Sequence, residues 1–138
     1  MPAKILIVDD DPDMVELLQL VLTEAGYSAC TAMTGAEALA EAQRSSPNLV
    51  VLDLLLPEMN GFNVCESLRR NPATASVPII MITGLPGQFP RLVGLETGVN
   101  AYVNKPFQTQ ELVSCVDGLL GRSSTASNPM NAPRSLAA

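Results

Sequence analysis

Histidine is absent from this chain and basic residues are few: 8 Lys and Arg stand against 14 Asp and Glu, a formal net charge of −6 over 138 residues. Without a clustered basic face there is no electrostatic footprint for a phosphate backbone, so direct nucleic-acid binding is not expected. The missing histidines also disfavour a zinc site. Cys30, Cys65 and Cys115 are odd in number and widely spaced, with no C-x-x-C pair. They supply neither a disulfide framework nor a metal knuckle and read as small core or half-buried hydrophobes. No apolar run approaches the roughly 20 residues that span a bilayer. Met1-Pro2-Ala3-Lys4 leads into a strand-like run without a signal-peptide core, so the expected compartment is the cytoplasm, with no membrane partner.

What the chain does have is enough apolar material for one core, 47% hydrophobic residues against 16% charged, within the usual size of a single domain. Strand-like runs alternate with helical stripes from end to end. That alternation predicts an α/β domain with a doubly wound parallel sheet covered by helices on both faces. The runs are Ile5 to Val8, Tyr27 to Thr31 as an edge strand, Leu49 to Leu52, Ile79 to Ile82 and Ala101 to Asn104.

The helices are marked by their ends. Asp11 and Pro12 open the first as N-cap and first helical residue, and Met14, Leu17, Leu18, Val21 and Leu22 form its apolar stripe up to Gly26. Thr34-Gly35-Ala36-Glu37 has the form of a capping box, with Ala38, Leu39 and Ala42 behind it. Asn60 precedes a third helix that turns Phe62, Val64, Cys65 and Leu68 inward and stops at Arg69-Arg70-Asn71-Pro72. Thr109 is expected to cap a last helix carrying Leu112, Val113, Val116, Leu119 and Leu120, closed by Gly121. Between Thr83 and Tyr102, Gly84, Pro86, Gly87, Pro90, Gly94 and Gly98 allow only a short helix starting near Pro90, or a longer loop. The domain is expected over residues 1–121. The Ser-, Ala-, Asn- and Pro-rich stretch 122–138 reads as a disordered tail or linker, too short for a second folded domain.

Four of the strand-like runs end in residues suited to phosphate chemistry: Asp9, Asp10 and Asp11, then Asp53, Thr83 and Lys105. In an open parallel sheet such endings meet in the crevice at the carboxyl edge. Clustered carboxylates call for a cation, and an all-oxygen set suits Mg²⁺. Thr83 and Lys105 add a hydroxyl donor and a positive charge for phosphoryl oxygens, while Asp53 is a candidate nucleophile able to form an acyl phosphate.

These residues carry a resemblance. Ile5-Leu6-Ile7-Val8-Asp9-Asp10-Asp11-Pro12, Val51-Leu52-Asp53-Leu54-Leu55-Leu56-Pro57-Glu58-Met59-Asn60-Gly61, Met81-Ile82-Thr83-Gly84 and Tyr102-Val103-Asn104-Lys105-Pro106-Phe107 together resemble the receiver domain of two-component response regulators. The resemblance implies a flavodoxin-like five-stranded sheet of order 2-1-3-4-5 and a cis Lys105–Pro106 peptide. It implies that Asp53 is the phosphoacceptor, that Asp10 and Asp53 hold Mg²⁺ with the Leu55 backbone carbonyl, and that Asp9 is a ligand through water. Thr83 and Lys105 would hold the phosphoryl group, and Thr83 with Tyr102 would form the switch. The implied donor is a sensor histidine kinase or phosphotransfer protein. The implied output partner reads the surface around the short fourth helix, the fifth strand and the last helix. On this reading the protein is a phosphoacceptor that promotes its own modification and not a turnover enzyme.

Departures from the family pattern sharpen the expectations. Leu55 and Leu85 are apolar where side chains can orient an attacking water, which predicts a long-lived phosphoryl group. Pro86, Gly87 and Pro90 depart from the usual start of the fourth helix. Within the class, a stand-alone regulator competes with a receiver excised from a hybrid kinase or larger regulator. A flavin-mononucleotide carrier on a similarly wound sheet would need a Ser, Thr or Gly-rich loop where Asp9 to Asp13 stand. An aspartyl phosphatase would need a general acid or base where Leu55 stands.

Overall fold

The alternating runs become five parallel strands and four helices in a computed structural model that describes residues 2–84 and 98–121. The strands are β1 (Lys4–Val8), β2 (Ser28–Ala32), β3 (Leu49–Asp53), β4 (Ile79–Thr83) and β5 (Ala101–Asn104), in the order β2-β1-β3-β4-β5. The described helices are α1 (Pro12–Glu24), α2 (Gly35–Ser45), α3 (Gly61–Arg70) and α4 (Thr109–Leu119). The short helix expected near Pro90 and the tail from Arg122 lie outside the described residues, as does Leu85.

Successive strand residues point to opposite faces, so the sheet divides its apolar residues between two cores. Leu6, Val8, Val50, Leu52, Ile79 and Met81 pack with Ala38 and Ala42 of α2 and Val64, Cys65 and Leu68 of α3. Ile5, Ile7, Leu49, Val51, Ile80 and Ile82 pack with Leu18 and Leu22 of α1 and Leu112, Cys115 and Val116 of α4. Both faces of β3 and β4 are buried throughout, which is why these runs are continuous and not alternating. Cys65 and Cys115 are buried free thiols and Cys30 is half-buried, as expected. Burial pushes the Cys115 thiol up to about 12.

Most helix ends follow their local chemistry. The Asp11 carboxylate accepts from the Asp13 amide and the Asn60 side chain from the Asn63 amide. Gly26, at φ 98°, closes α1 with its own amide on Thr23 O and that of Tyr27 on Leu22 O, the paired bonds of a Schellman turn. That turn shifts the edge strand by one residue from the expected Tyr27 start. The Tyr27 amide is committed to the helix end, so pairing begins where Ser28 N bonds Ala3 O at 2.9 Å.

Three expectations are corrected. Leu17 is 43% exposed, because it flanks the stripe while Leu18 and Leu22 face the sheet. The capping box is asymmetric: Thr34 Oγ1 accepts from Glu37 N, but the Glu37 carboxylate reaches Met33 N at 3.3 Å and not the Thr34 amide. Thr109 is the first helical residue of α4 and not its cap. Gln108 takes the cap position without a side-chain bond, and the half-buried Phe107 packed on the core fixes the chain's entry.

Candidate functional site

Parallel register puts the carboxyl ends of the central strands side by side. β1 pairs with β3 through Val8 and Leu52, β3 with β4 through Asp53 and Ile82, and β4 with β5 through Thr83 and Asn104. The residues immediately beyond or at these ends therefore share one crevice. Asp9, Asp10 and Asp53 each present a carboxylate oxygen within 4.8 Å of the others. Lys105 Nζ lies 3.7 Å from Asp9 Oδ2 and 3.6 Å from Asp53 Oδ1. Thr83 is buried at the end of β4, two residues from Met81 and on the sheet face that carries Tyr102. Tyr102 is itself turned into that core, 3% exposed. The Lys105–Pro106 peptide is cis. Leu55 stands two residues past Asp53 with its side chain 59% exposed.

The charge balance of this crevice is unfavourable without a cation. Two carboxylate charges at 4.8 Å, the widest spacing within the cluster, repel by about 3.5 kcal/mol at an effective dielectric near 20. Burial, with the Asp9 charge next, pushes the Asp53 carboxyl from 3.8 up to about 6, against the opposing pull of Lys105 and the Leu55 amide. Asp9 is 1% exposed. Its Oδ1 accepts from the Asp11 amide at 2.9 Å, but its buried Oδ2 has no hydrogen-bond partner. A buried oxygen in that condition, beside two further carboxylates, fits a hard divalent cation with oxygen ligands.

The loop from Leu54 to Gly61 closes the site from one side. Gly61 N bonds Leu54 O at 2.7 Å, Met59 N bonds Pro57 O at 2.7 Å, and Leu55 N donates to Asp53 Oδ1 at 3.3 Å. A Cβ on Gly61 would stand 2.7 Å from Asp53 O and 2.9 Å from Leu54 Cα, so only glycine admits this approach of α3 to the β3 end. Glu58 holds φ 67°, a left-handed conformation unusual for a side-chain-bearing residue.

Of the residues singled out at strand ends, Asp9, Asp10 and Asp53 come together and Lys105 reaches Asp9 and Asp53, whereas register sets Thr83 at the neighbouring strand end and Asp11 is spent as the exposed cap of α1. Sequence reasoning missed the supporting roles of Gly35, Met59 and Arg69. Gly35 was legible only as part of a capping box, and Arg69 only as the end of a helix.

A family model for the response regulator receiver domain matches residues 5–117. The chain is 41% identical over 126 residues to the alkaline phosphatase synthesis transcriptional regulatory protein PhoP of Bacillus subtilis, covering 91% of this chain and 52% of that protein. The crystal structure of a candidate response regulator from Chloroflexus aurantiacus matches with TM-score 0.83 and 40% identity, over 88% of this chain and 100% of that one. That of the Vibrio cholerae chemotaxis protein CheY4 matches with TM-score 0.79 and 31% identity, over 82% and 94%. The chain spans about half the length of PhoP and of similarly sized curated relatives.

Proposed function

This chain belongs to the response regulator receiver domain family, and from that premise we propose that it is a phosphorylation-controlled switch whose phosphoacceptor is Asp53. The observation that carries the reading is the cluster of three carboxylates within 4.8 Å, with the Lys105 ammonium bridging two of them. With its carboxyl at about 6, Asp53 is ionised at neutral pH and is a competent nucleophile. Its oxygen attacks the phosphorus of a phosphohistidine on a sensor kinase or phosphotransfer protein. The P–N bond breaks, its electron pair leaves with the imidazole, and the phosphoryl group is left as an acyl phosphate on Asp53.

Asp10, Asp53 and the Leu55 carbonyl would hold Mg²⁺ directly and Asp9 through water. That ion supplies the positive charge which offsets the carboxylates and the phosphoryl oxygens. The Lys105 ammonium and Thr83 hydroxyl hold the remaining phosphoryl oxygens. Thr83 shares a sheet face with Tyr102, so drawing Thr83 toward Asp53 alters the packing around Tyr102 and, through it, the surface of β5 and α4. An output partner reads that surface together with the segment that follows Thr83. The domain is residues 1–121, and 122–138 serve as tail or linker. Both a stand-alone regulator and a receiver within a longer regulator accord with its coverage of relatives.

Intact mass after incubation with Mg²⁺ and acetyl phosphate tests the reading. Wild type is expected to gain one phosphoryl group and Asp53→Asn none. Uptake by Asp53→Asn would remove Asp53 as the acceptor. Leu55 brings only an exposed apolar side chain to the mouth of the site, which offers no general base for water. The phosphoryl group is therefore expected to persist well beyond seconds after the donor is removed. Loss within seconds, followed by mass over time, would show that water is activated by some other group.

A further inference from the structure

We propose that Met59 is a positioning residue: its side chain pegs the loop after β3 onto the bare first turn of α2 at Gly35, and the peg holds the Leu55 backbone in place beside Asp53. Gly35 lies in a helix and has no positive φ, so its backbone conformation does not call for glycine. Alanine would be the better helix former. What excludes a side chain is contact. A Cβ on Gly35 would stand 2.8 Å from Met59 Sδ, 3.0 Å from Met59 Cβ and 3.0 Å from Val64 Cγ2.

The loop needs such a peg. Leu55, Pro57, Glu58 and Asn60 are exposed, and Glu58 sits in the left-handed region at φ 67°, a conformation that persists only where surroundings over-determine it. Of the residues between Leu54 and Gly61, Leu56 and Met59 alone pack on the core of the α2–α3 side. Met59 directly follows Glu58, and its amide closes the tight turn onto Pro57 O at 2.7 Å. The residue held by this arrangement is Leu55, whose amide donates to Asp53 Oδ1 at 3.3 Å and whose carbonyl is assigned to Mg²⁺ under the function proposed above. The effect on the metal rests on that reading, whereas the effect on the loop does not. Groups that orient ligands from behind typically change metal affinity by about 10- to 100-fold.

Two readouts test the peg on the full chain, the Mg²⁺ dissociation constant by calorimetry and the backbone order parameters of Leu55 and Glu58 by NMR relaxation. Met59→Ala is expected to weaken Mg²⁺ binding about tenfold and to lower both order parameters toward the flexible range below about 0.6. Met59→Leu, which refills the space, should restore both. Gly35→Ala, which touches neither the carboxylates nor the loop backbone, should reproduce the defect by displacing Met59. Gly35→Ala combined with Met59→Ala should cost clearly less than the sum of the two single defects, because Met59→Ala removes the 2.8 Å Sδ contact while those with the Cβ of residue 59 and with Val64 remain. Unchanged order parameters in Met59→Ala and Gly35→Ala, or strictly additive defects in the pair, would overturn the peg. Loop disordering in a protein whose wild type does not bind Mg²⁺ would uphold the peg and reject the metal reading instead.

Discussion

Asp53→Asn is expected to raise the stability of the metal-free protein at pH 7 by as much as about 3 kcal/mol. That ceiling is the gap between 3.8 and about 6 for the Asp53 carboxyl, at roughly 1.4 kcal/mol per pH unit, and solvent screening at the partly open crevice brings the gain below it. Between about pH 4 and pH 6 the folded protein keeps a proton on Asp53 that the unfolded chain releases. Stability therefore falls as pH rises through that window, and the full penalty is present above it. The amide carries no charge and escapes this penalty. The difference between the two proteins should thus be small at pH 4, grow to pH 6 and level off, reaching a shift on the order of 10 °C in melting temperature for a domain of this size. Urea unfolding in chelator across this range measures it directly. A variant no more stable than wild type at pH 7 would mean that the Asp53 charge is already compensated without metal. Adding Mg²⁺ should stabilise wild type by mass action and narrow the gap.

Arg69→Ala is expected to cost about 3 to 4 kcal/mol, whereas Arg70→Ala, one residue on, should cost under about 0.5. Arg69 is half-buried at the end of α3. Its guanidinium donates to Gly98 O at 3.2 and 2.8 Å, to Ala75 O at 3.1 Å, to Val77 O at 2.7 Å and to Asn100 Oδ1 at 2.8 Å, with a longer contact to Thr74 O. Asn100 Oδ1 also accepts from Ile79 N at 2.8 Å. One side chain thus ties α3 to the entries of β4 and β5. No described carboxylate pairs with it, and burial lowers its pKa. Removing the fork strands several partly buried carbonyls, each costing about 1 kcal/mol or more. Arg69→Lys should recover only part, since an ammonium cannot reproduce the planar fork. Arg70 makes one ion pair with Glu66, with side chains 75% and 51% exposed, and such pairs contribute little. Urea denaturation of the three variants distinguishes the two arginines. A loss below 1 kcal/mol for Arg69→Ala would show that water replaces the fork without cost.

These expectations mark where the sequence was legible. The strand cores, the Asp11 and Asn60 caps and the Gly26 stop depend on residues within a few positions of one another, and local pattern reports them. The 2-1-3-4-5 order and the cis Lys105–Pro106 peptide came only through family resemblance, because no periodicity encodes which strands become neighbours. The misses are of one kind. Leu17 fits the apolar stripe of α1, yet it flanks the buried face. Thr109 is a good capping residue by type, yet the chain enters α4 one residue earlier. Glu37 completes a capping box on paper but reaches the Met33 amide instead.

By itself, then, the sequence determined the elements and the polar residues at their ends, since these follow from hydrophobic period, capping chemistry and turn residues read along the chain. Tertiary structure alone decided what those residues meet. Asp9 and Asp10 come within 4.8 Å of Asp53, Tyr27 donates its hydroxyl to the buried Asp117 carboxylate, Met59 lies against Gly35 and Arg69 clasps Gly98 and Asn100. Each pairing joins different elements, several of them far apart in the chain. A sequence pattern states which face a residue occupies, but close packing alone settles the atom that stands opposite it.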